Sequence, residues 1–388
     1  MKVLFLTHSF PRAHGDAPGS FVLRLAHALR REDVDVHVVA PGADGLAAAD
    51  SFDGVDVERF RYAPRRYETL AYSGTMAEDV RASFSAKLAL VGFLGSEFRS
   101  AVGAARRFEP DLVHAHWWFP GGLVGSWLNG LRHVPLVTTL HGTDVRLARG
   151  VSVARPLFRH VLARSAAVTT VSHWLAREAR ALVPHTEPIV APMPVADELF
   201  TPGGTRVAGR LLFVGRLNKQ KGIEHLLRAL REMRHQTHLD IVGSGPDEAE
   251  LRALAGQLGV GDRVHWHGSL PQPALAEYYR RASALVVPSR EEGLGLVAVE
   301  ALLCETPVIA SDSGGVTDIV RHESTGLLVP PGDPAAIAAA VDTLLDRSDR
   351  GAALGQAGRL HVLANFAPAS VARRYAEIYR DALDGRAS

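Results

Sequence analysis

The chain has a single cysteine, Cys304, in 388 residues. An intramolecular disulfide framework is excluded, and a reducing compartment suits the chain. Cys304 itself reads as a small buried hydrophobe. Lysine is nearly as scarce. Of 43 basic residues only four are lysines, at Lys2, Lys87, Lys219 and Lys221, which leaves 39 arginines. Charge of one sign is missing too. A net charge of +1 calls for neither nucleic acid nor an acidic partner. No apolar run approaches a membrane-spanning length, and "MKVLFLTHSFP" is too short for a signal peptide and lacks a small-residue cleavage site. The expected location is cytoplasmic, either free or at the inner face of a membrane. No D-x-D triplet occurs in the second half, so no metal and no cofactor are expected.

What is present reads as an α/β protein. At this length two domains are the default. "KVLFLTH", "DVHVVAPG", "DLVHAH", "PLVTTLHG" and "AAVTTVS" are short β-branched strands, separated by amphipathic segments such as "GSFVLRLAHALRRE". Strands alternating with helices imply βαβ units and a parallel sheet. Residues 188–204, rich in Pro and Gly, form the best linker candidate. The pattern then restarts at "GRLLFVGRL". Residues 1–193 and 194–367 are the expected domains, and a last amphipathic helix, about 368–388, is expected to pack back on the first. Such sheets bind ligands outside the carboxyl ends of their strands.

Three turns lie at such ends. "FVGRLNKQKG" puts Gly215, Arg216, Lys219 and Lys221 before a helix, and two of the four lysines fall here. Fixed cations and free backbone N–H groups suit a diphosphate. A solvated loop with incidental charge is an equal reading. The Walker A spacing is absent. "IVGSGPDEAE" offers Gly243 and Gly245, but Glu248 stands where a dinucleotide fingerprint wants a third Gly. An ordinary turn and the approach of backbone to a flat ligand remain open. "PSREEGLGLVAVEALLC" is the strongest signal. Gly293 and Gly295 admit a ligand close to backbone. Glu292 precedes them, and Glu300 should lie about two turns into the following apolar helix. A carboxylate buried there needs donors, from sugar hydroxyls or from a buried Arg.

Taken together these residues resemble a known family. Gly215-Arg216 with Lys221-Gly222, the run from Glu292 through Gly293, Leu294, Gly295 and Leu296 to Glu300, and "PVIASDSGG" look like the C-terminal domain of retaining glycosyltransferases of family 4 with the GT-B fold. "FPRAHGDAPGSFVLRLAHAL", "DLVHAHWWFPGG" and "TLHGTDV" are similar to its N-terminal loops. The resemblance implies two doubly wound Rossmann-like domains facing a central cleft. It implies that Arg216 and Lys221 hold the donor diphosphate, Glu292 a sugar hydroxyl and Glu300 the ribose, with His141 beside sugar and acceptor. Gly19, His116 and Asp144 would lie on the acceptor side. The implied reaction moves a hexose from a nucleotide sugar to a hydroxyl acceptor with retention and without metal, as in polysaccharide biosynthesis. A GT-B epimerase, a disaccharide phosphorylase or a non-catalytic nucleotide-sugar binder are the alternatives. Departures from the family are Glu305, where it often has Gly, Asp318 for its usual Glu, and Met193-Pro194 for Asn-Gly.

Weaker features have plainer readings. His114 and His116 alternate along a strand without a third metal ligand, so packing or acceptor contact is expected. His8 is equally open. Ser172 is most simply a helix N-cap. "RFRYAPRRYETLAYSG", followed by the amphipathic "FSAKLALVGFLGSEF", suits an anionic membrane surface, or else a solvated loop over a core helix.

Overall fold

The computed structural model describes residues 1–16, 18–72 and 76–385. The chain divides into two compact units: Met1–Pro194 with the C-terminal segment from Pro368, and Val195–Ala367.

The first unit is built on one sheet of eight strands. They are β1 (Lys2–Leu6), β2 (Asp35–Pro41), β3 (Ala49–Phe52), β4 (Val55–Phe60), β5 (Leu112–His116), β6 (Leu136–Leu140), β7 (Ala167–Thr170) and β8 (Ile189–Val190), in the order β3-β4-β2-β1-β5-β6-β7-β8. Every neighbouring pair is parallel except β3 with β4 at the edge. β5 and β6 are buried at every position, as sheets covered on both faces require. The strand order reverses between β1 and β5, which opens a crevice at their carboxyl ends.

Helix Phe84–Phe108 covers one face. Its 25 residues are long and apolar enough to cross a membrane, although the sequence suggested no such stretch. It does not lie in the unit as an isolated span. Ala86, Ala89, Phe93, Ala101, Ala104 and Ala105 pack in one cluster with Leu4, Val39 and Val113 of the sheet. The C-terminal helix Pro368–Leu383 buries Val371, Tyr375 and Tyr379 in the same unit. The Tyr379 hydroxyl is 2.7 Å from His114 Nδ1, and the Tyr375 hydroxyl donates to Ala191 O at 3.0 Å. The Pro-rich segment is thus fastened rather than loose at Ala191. Ser172 caps helix His173–Leu182 by accepting from Leu175 N at 3.2 Å.

The second unit holds β9 (Arg210–Val214), β10 (His238–Val242), β11 (Val264–Trp266), β12 (Ala284–Val287), β13 (Val308–Ser311) and β14 (Leu327–Val329), all parallel, in the order β11-β10-β9-β12-β13-β14. Ile223, Leu226, Leu227 and Leu230 repeat at helical spacing and bury one face of helix Ile223–Glu232 with Leu211, Phe213 and Ile241. Here the order reverses between β9 and β12. Glu305 takes a left-handed conformation with φ 59°, which explains why Gly suits this position in the resembling family.

Candidate functional site

In the second unit the loops after β9, β10, β12 and β13 are stitched to one another by backbone. Gly215 N donates to Val242 O and Leu217 N to Ser244 O, each at 3.0 Å. A Cβ at Gly243 would lie 1.9 Å from Gly215 O, and one at Gly245 2.2 Å from Leu217 O. The close approach of these two glycines is therefore to the Arg216 loop. The sequence left open a ligand in that place, and a neighbouring backbone occupies it. Next, Arg290 N donates to Gln220 O at 2.9 Å and Gln220 Nε2 to Glu291 O at 2.6 Å. Gly315 N donates to Glu292 O at 2.6 Å.

This stitching brings Lys221 Nζ within 2.6 Å of Glu292 Oε2, at the reversal point between β9 and β12. The two side chains are only 20% and 14% exposed, so their attraction is weakly screened. Arg216, in the same loop, is exposed and has no ion-pair partner among the described residues. Helix Leu296–Leu303 starts at the N-cap Gly295, with φ 94°. Leu294 beside it is buried and Leu296 half-buried. Gly293 lies in the same turn.

Glu300 needs two corrections. The helix begins at Leu296, so Glu300 stands little more than one turn into it, not two. The residue is 7% exposed, and two protein donors that the sequence did not foresee reach its carboxylate: the Tyr279 hydroxyl donates to Oε2 at 2.8 Å, and Gln272 Nε2 lies 3.4 Å from Oε1. Neither partner carries a sequence signal, because both sit on helix Gln272–Arg281, outside every motif.

The first unit presents its own cluster at the ends of β1, β5 and β6. His116 Nδ1 lies 3.2 Å from His141 Nε2. The His141 ring packs against Trp117 at 4.3 Å and Phe21 at 5.4 Å, and His8 lies 4.3 Å from Trp117. Burial lowers all three imidazoles, His8 to about 4, His116 to about 3 and His141 well below the ordinary value. They are neutral at physiological pH and act as hydrogen-bond partners rather than cations. His8 Nδ1 and His116 Nε2 are buried without a partner among the described residues.

Asp144 does not reach toward this cluster as an acceptor ligand. Its Oδ1 accepts from the backbone N–H groups of His141, Gly142 and Val145, and its Oδ2 from Trp118 N. It is a clamp that fixes the His141 turn. Burial raises it to about 6, against the pull of those bonds. Gly19 is likewise occupied: a Cβ there would lie 2.3 Å from Ser9 O, so the helix start approaches its own preceding loop. The His114 ring lies 4.2 Å from that of His116, but both its ring nitrogens are already bonded, to Tyr379 and Thr139. Among the described residues no three His, Cys, Asp or Glu side chains are placed to hold a metal. Trp117 and Phe21 were not foreseen. Trp117, at φ 67°, carries its only hint in the tryptophan pair of "HAHWWFPGG".

Two sheets, parallel but for the edge strand β3, each with a reversal point and a loop cluster at it, define a protein of two Rossmann-like units. Comparisons agree. The model described as "Glycosyl transferases group 1" matches residues 208–361, and "Glycosyl transferase 4-like domain" matches residues 17–192. The D-inositol 3-phosphate glycosyltransferase of Thermobispora bispora is 36% identical, over 76% of this chain and 77% of its own. That of Kineococcus radiotolerans is 32% identical, over 99% and 96%. Among solved structures, the sucrose-phosphate synthase of Thermosynechococcus elongatus superposes with a TM-score of 0.83 at 25% identity, covering 98% of each chain. Anabaena HepE in complex with UDP-glucose gives 0.73 at 20% identity, over 98% of this chain and 100% of that one, a likeness of fold. The chain belongs to the family 4 glycosyltransferases and has the GT-B fold.

Proposed function

We propose that the enzyme transfers a hexose from a nucleoside diphosphate sugar to a hydroxyl acceptor, with retention of configuration and with side chains rather than a metal meeting the departing charge. The observation that carries this is the Lys221–Glu292 pair at the β9/β12 reversal, beside the first turn of helix Leu296–Leu303. A cation and helix amides suit a diphosphate. A carboxylate next to them suits a sugar hydroxyl. No carboxylate in these loops is required as an attacking group, which fits departure and attack on one face of the sugar. The neutral His116–His141 pair suits an acceptor hydroxyl. HepE, whose structure is described as a complex with UDP-glucose, supports a nucleotide-sugar donor.

The test is a thermal-shift screen with UDP-, GDP- and ADP-sugars, followed by product analysis. Specific binding at a hundredfold excess over Kd stabilises by about 2.7 kcal/mol. Turnover is expected to survive EDTA and to give the anomer of the donor. An inverted product, an isomerised donor or loss of turnover in EDTA would overturn the reading.

Peripheral membrane contact belongs to the same proposal. Phe84, Leu88 and Val91 stand on one side of helix Phe84–Phe108, 74%, 60% and 70% exposed. Arg65, paired to Asp44, and Arg66 lie exposed in an earlier turn, before helix Met76–Ala82, and Lys87 is exposed on the helix. Apolar anchors flanked by cations suit an anionic lipid surface that carries a lipid-linked acceptor. Co-sedimentation with phosphatidylglycerol vesicles is expected at low salt and should weaken as salt rises. Phe84→Ser with Leu88→Ser should abolish it. No association at low salt would leave an enzyme with a soluble acceptor. In that case the enzyme would be cytoplasmic and unattached.

A further inference from the structure

Glu300 is held by a helix that no motif marks. Helix Gln272–Arg281 lies beside helix Leu296–Leu303, and two of its residues converge on one carboxylate. They are seven residues apart, about two turns, and so share a face. Tyr279 is fully buried and fixed at three points. Its ring meets Phe200 edge-on at 5.6 Å. Its hydroxyl donates to Glu300 Oε2 at 2.8 Å. Its carbonyl accepts from Thr306 Oγ1 at 2.6 Å, and Thr306 N in turn donates to Ala301 O at 2.9 Å, one residue past Glu300. The tyrosine is thereby tied to both the side chain of Glu300 and the backbone that follows it.

From this geometry we infer that Tyr279, with Gln272, is the positioning residue for ribose recognition: it presets the rotamer of Glu300 before the nucleotide arrives. The inference rests on the reading of Glu300 as the acceptor for ribose hydroxyls. A glutamate side chain has three rotatable bonds, and ordering it only on binding would weaken affinity. A carboxylate offers about four lone-pair directions, so one oxygen can keep the tyrosine proton while the group also accepts from a ligand. Burial and the neighbouring carboxylate push the Tyr279 phenol well above its ordinary range, so it stays a donor at any working pH. A phenylalanine would pack equally well against Phe200. The hydroxyl is therefore explained by its partner and not by the core.

The experiment uses the full chain and whichever of UDP, GDP and ADP gives the largest thermal shift, together with the 2′,3′-dideoxy form of that nucleotide. Affinities for the pair are compared in the parent, Tyr279→Phe, Gln272→Ala and Glu300→Gln. The parent should prefer the ribonucleotide. Tyr279→Phe should cut that preference about tenfold, the scale of one hydrogen bond to a charged acceptor, and leave the dideoxy affinity within about twofold. It should raise the KM for donor and leave kcat nearly intact. Gln272→Ala, whose bond is longer, should cut the preference less. A purely structural tyrosine would weaken both nucleotides alike. If Tyr279→Phe keeps the parental preference while Glu300→Gln loses it, the positioning role is overturned. If Glu300→Gln also keeps it, the ribose reading itself fails. Should Tyr279→Phe not fold, an unchanged preference in Gln272→Ala overturns the inference.

Discussion

Lys221→Ala is expected to lower kcat about 10²-fold, the loss seen when one donor is removed from a developing oxyanion. Transfer breaks the bond between the sugar and the departing diphosphate, and negative charge grows on that leaving group. A fixed cation aimed at it acts more strongly in the transition state than in the ground state, so its loss appears in kcat rather than only in KM. In the structure the charge of Lys221 is already met by Glu292 at 2.6 Å, with both side chains mostly out of solvent. The ammonium is thus held in place before a donor binds, and little reorganisation is needed at the moment of reaction. Removing it also leaves Glu292 unpaired, which Glu292→Gln separates: that variant should weaken the sugar nucleotide but bind the free nucleoside diphosphate like the parent. Arg216, exposed and without an ion-pair partner among the described residues, sits in the same loop, and Arg216→Ala should act in the same direction. Initial rates at saturating donor decide the matter, with thermal unfolding as the control for folding. A kcat within threefold of the parent in Lys221→Ala would remove the charge assignment.

The second large effect concerns stability. Glu97 lies on the buried face of helix Phe84–Phe108, fully buried, and neither carboxylate oxygen has a hydrogen-bond partner among the described residues. Burial raises it from 4.5 to about 8. The folded protein therefore holds the proton more tightly than the unfolded chain does. The stability tied to the protonated form is fully present below about pH 4.5, falls as pH rises, and is gone above about pH 8. At roughly 1.4 kcal/mol per unit, the whole span is on the order of 5 kcal/mol. Glu97→Gln keeps the shape and cannot ionise. Its melting temperature should match that of the parent near pH 5, exceed it progressively toward pH 8, and differ by a constant amount above that. A difference that does not change between pH 5 and pH 8 would show that folding does not raise the pKa of Glu97. Because Glu97 lies on no loop of the site, nucleotide affinity should be unaffected.

Much of the molecule is local information. "KVLFLTH" and "GRLLFVGRL" become β1 and β9 because β-branched and aromatic runs of this length bury on both faces of a parallel sheet. "GIEHLLRALREM" becomes a helix because its apolar residues recur at helical spacing. The run from Gly293 to Glu300 places a helix start and a carboxylate in one turn, and Ser172 caps its helix by a contact three residues long. These interactions close within a few residues, so the order of residues determines them.

What only the tertiary structure decided are the partners across long separations. Lys221 and Glu292 are 71 residues apart and meet because Gln220 and Arg290 join their loops. Gly243 and Gly245 serve the neighbouring Arg216 loop, and Gly19 serves Ser9, since a missing Cβ states that something is close but not what. Asp144 reads as a site residue along the chain, but four backbone amides claim it, and His114, open between packing and acceptor contact, meets Tyr379 265 residues away. Tyr279 reaches Glu300 only because two helices pack side by side. Periodicity fixes which face of an element is buried. Which polar group it meets there depends on the strand order and on how the loops close over it, and those are properties of the packed whole.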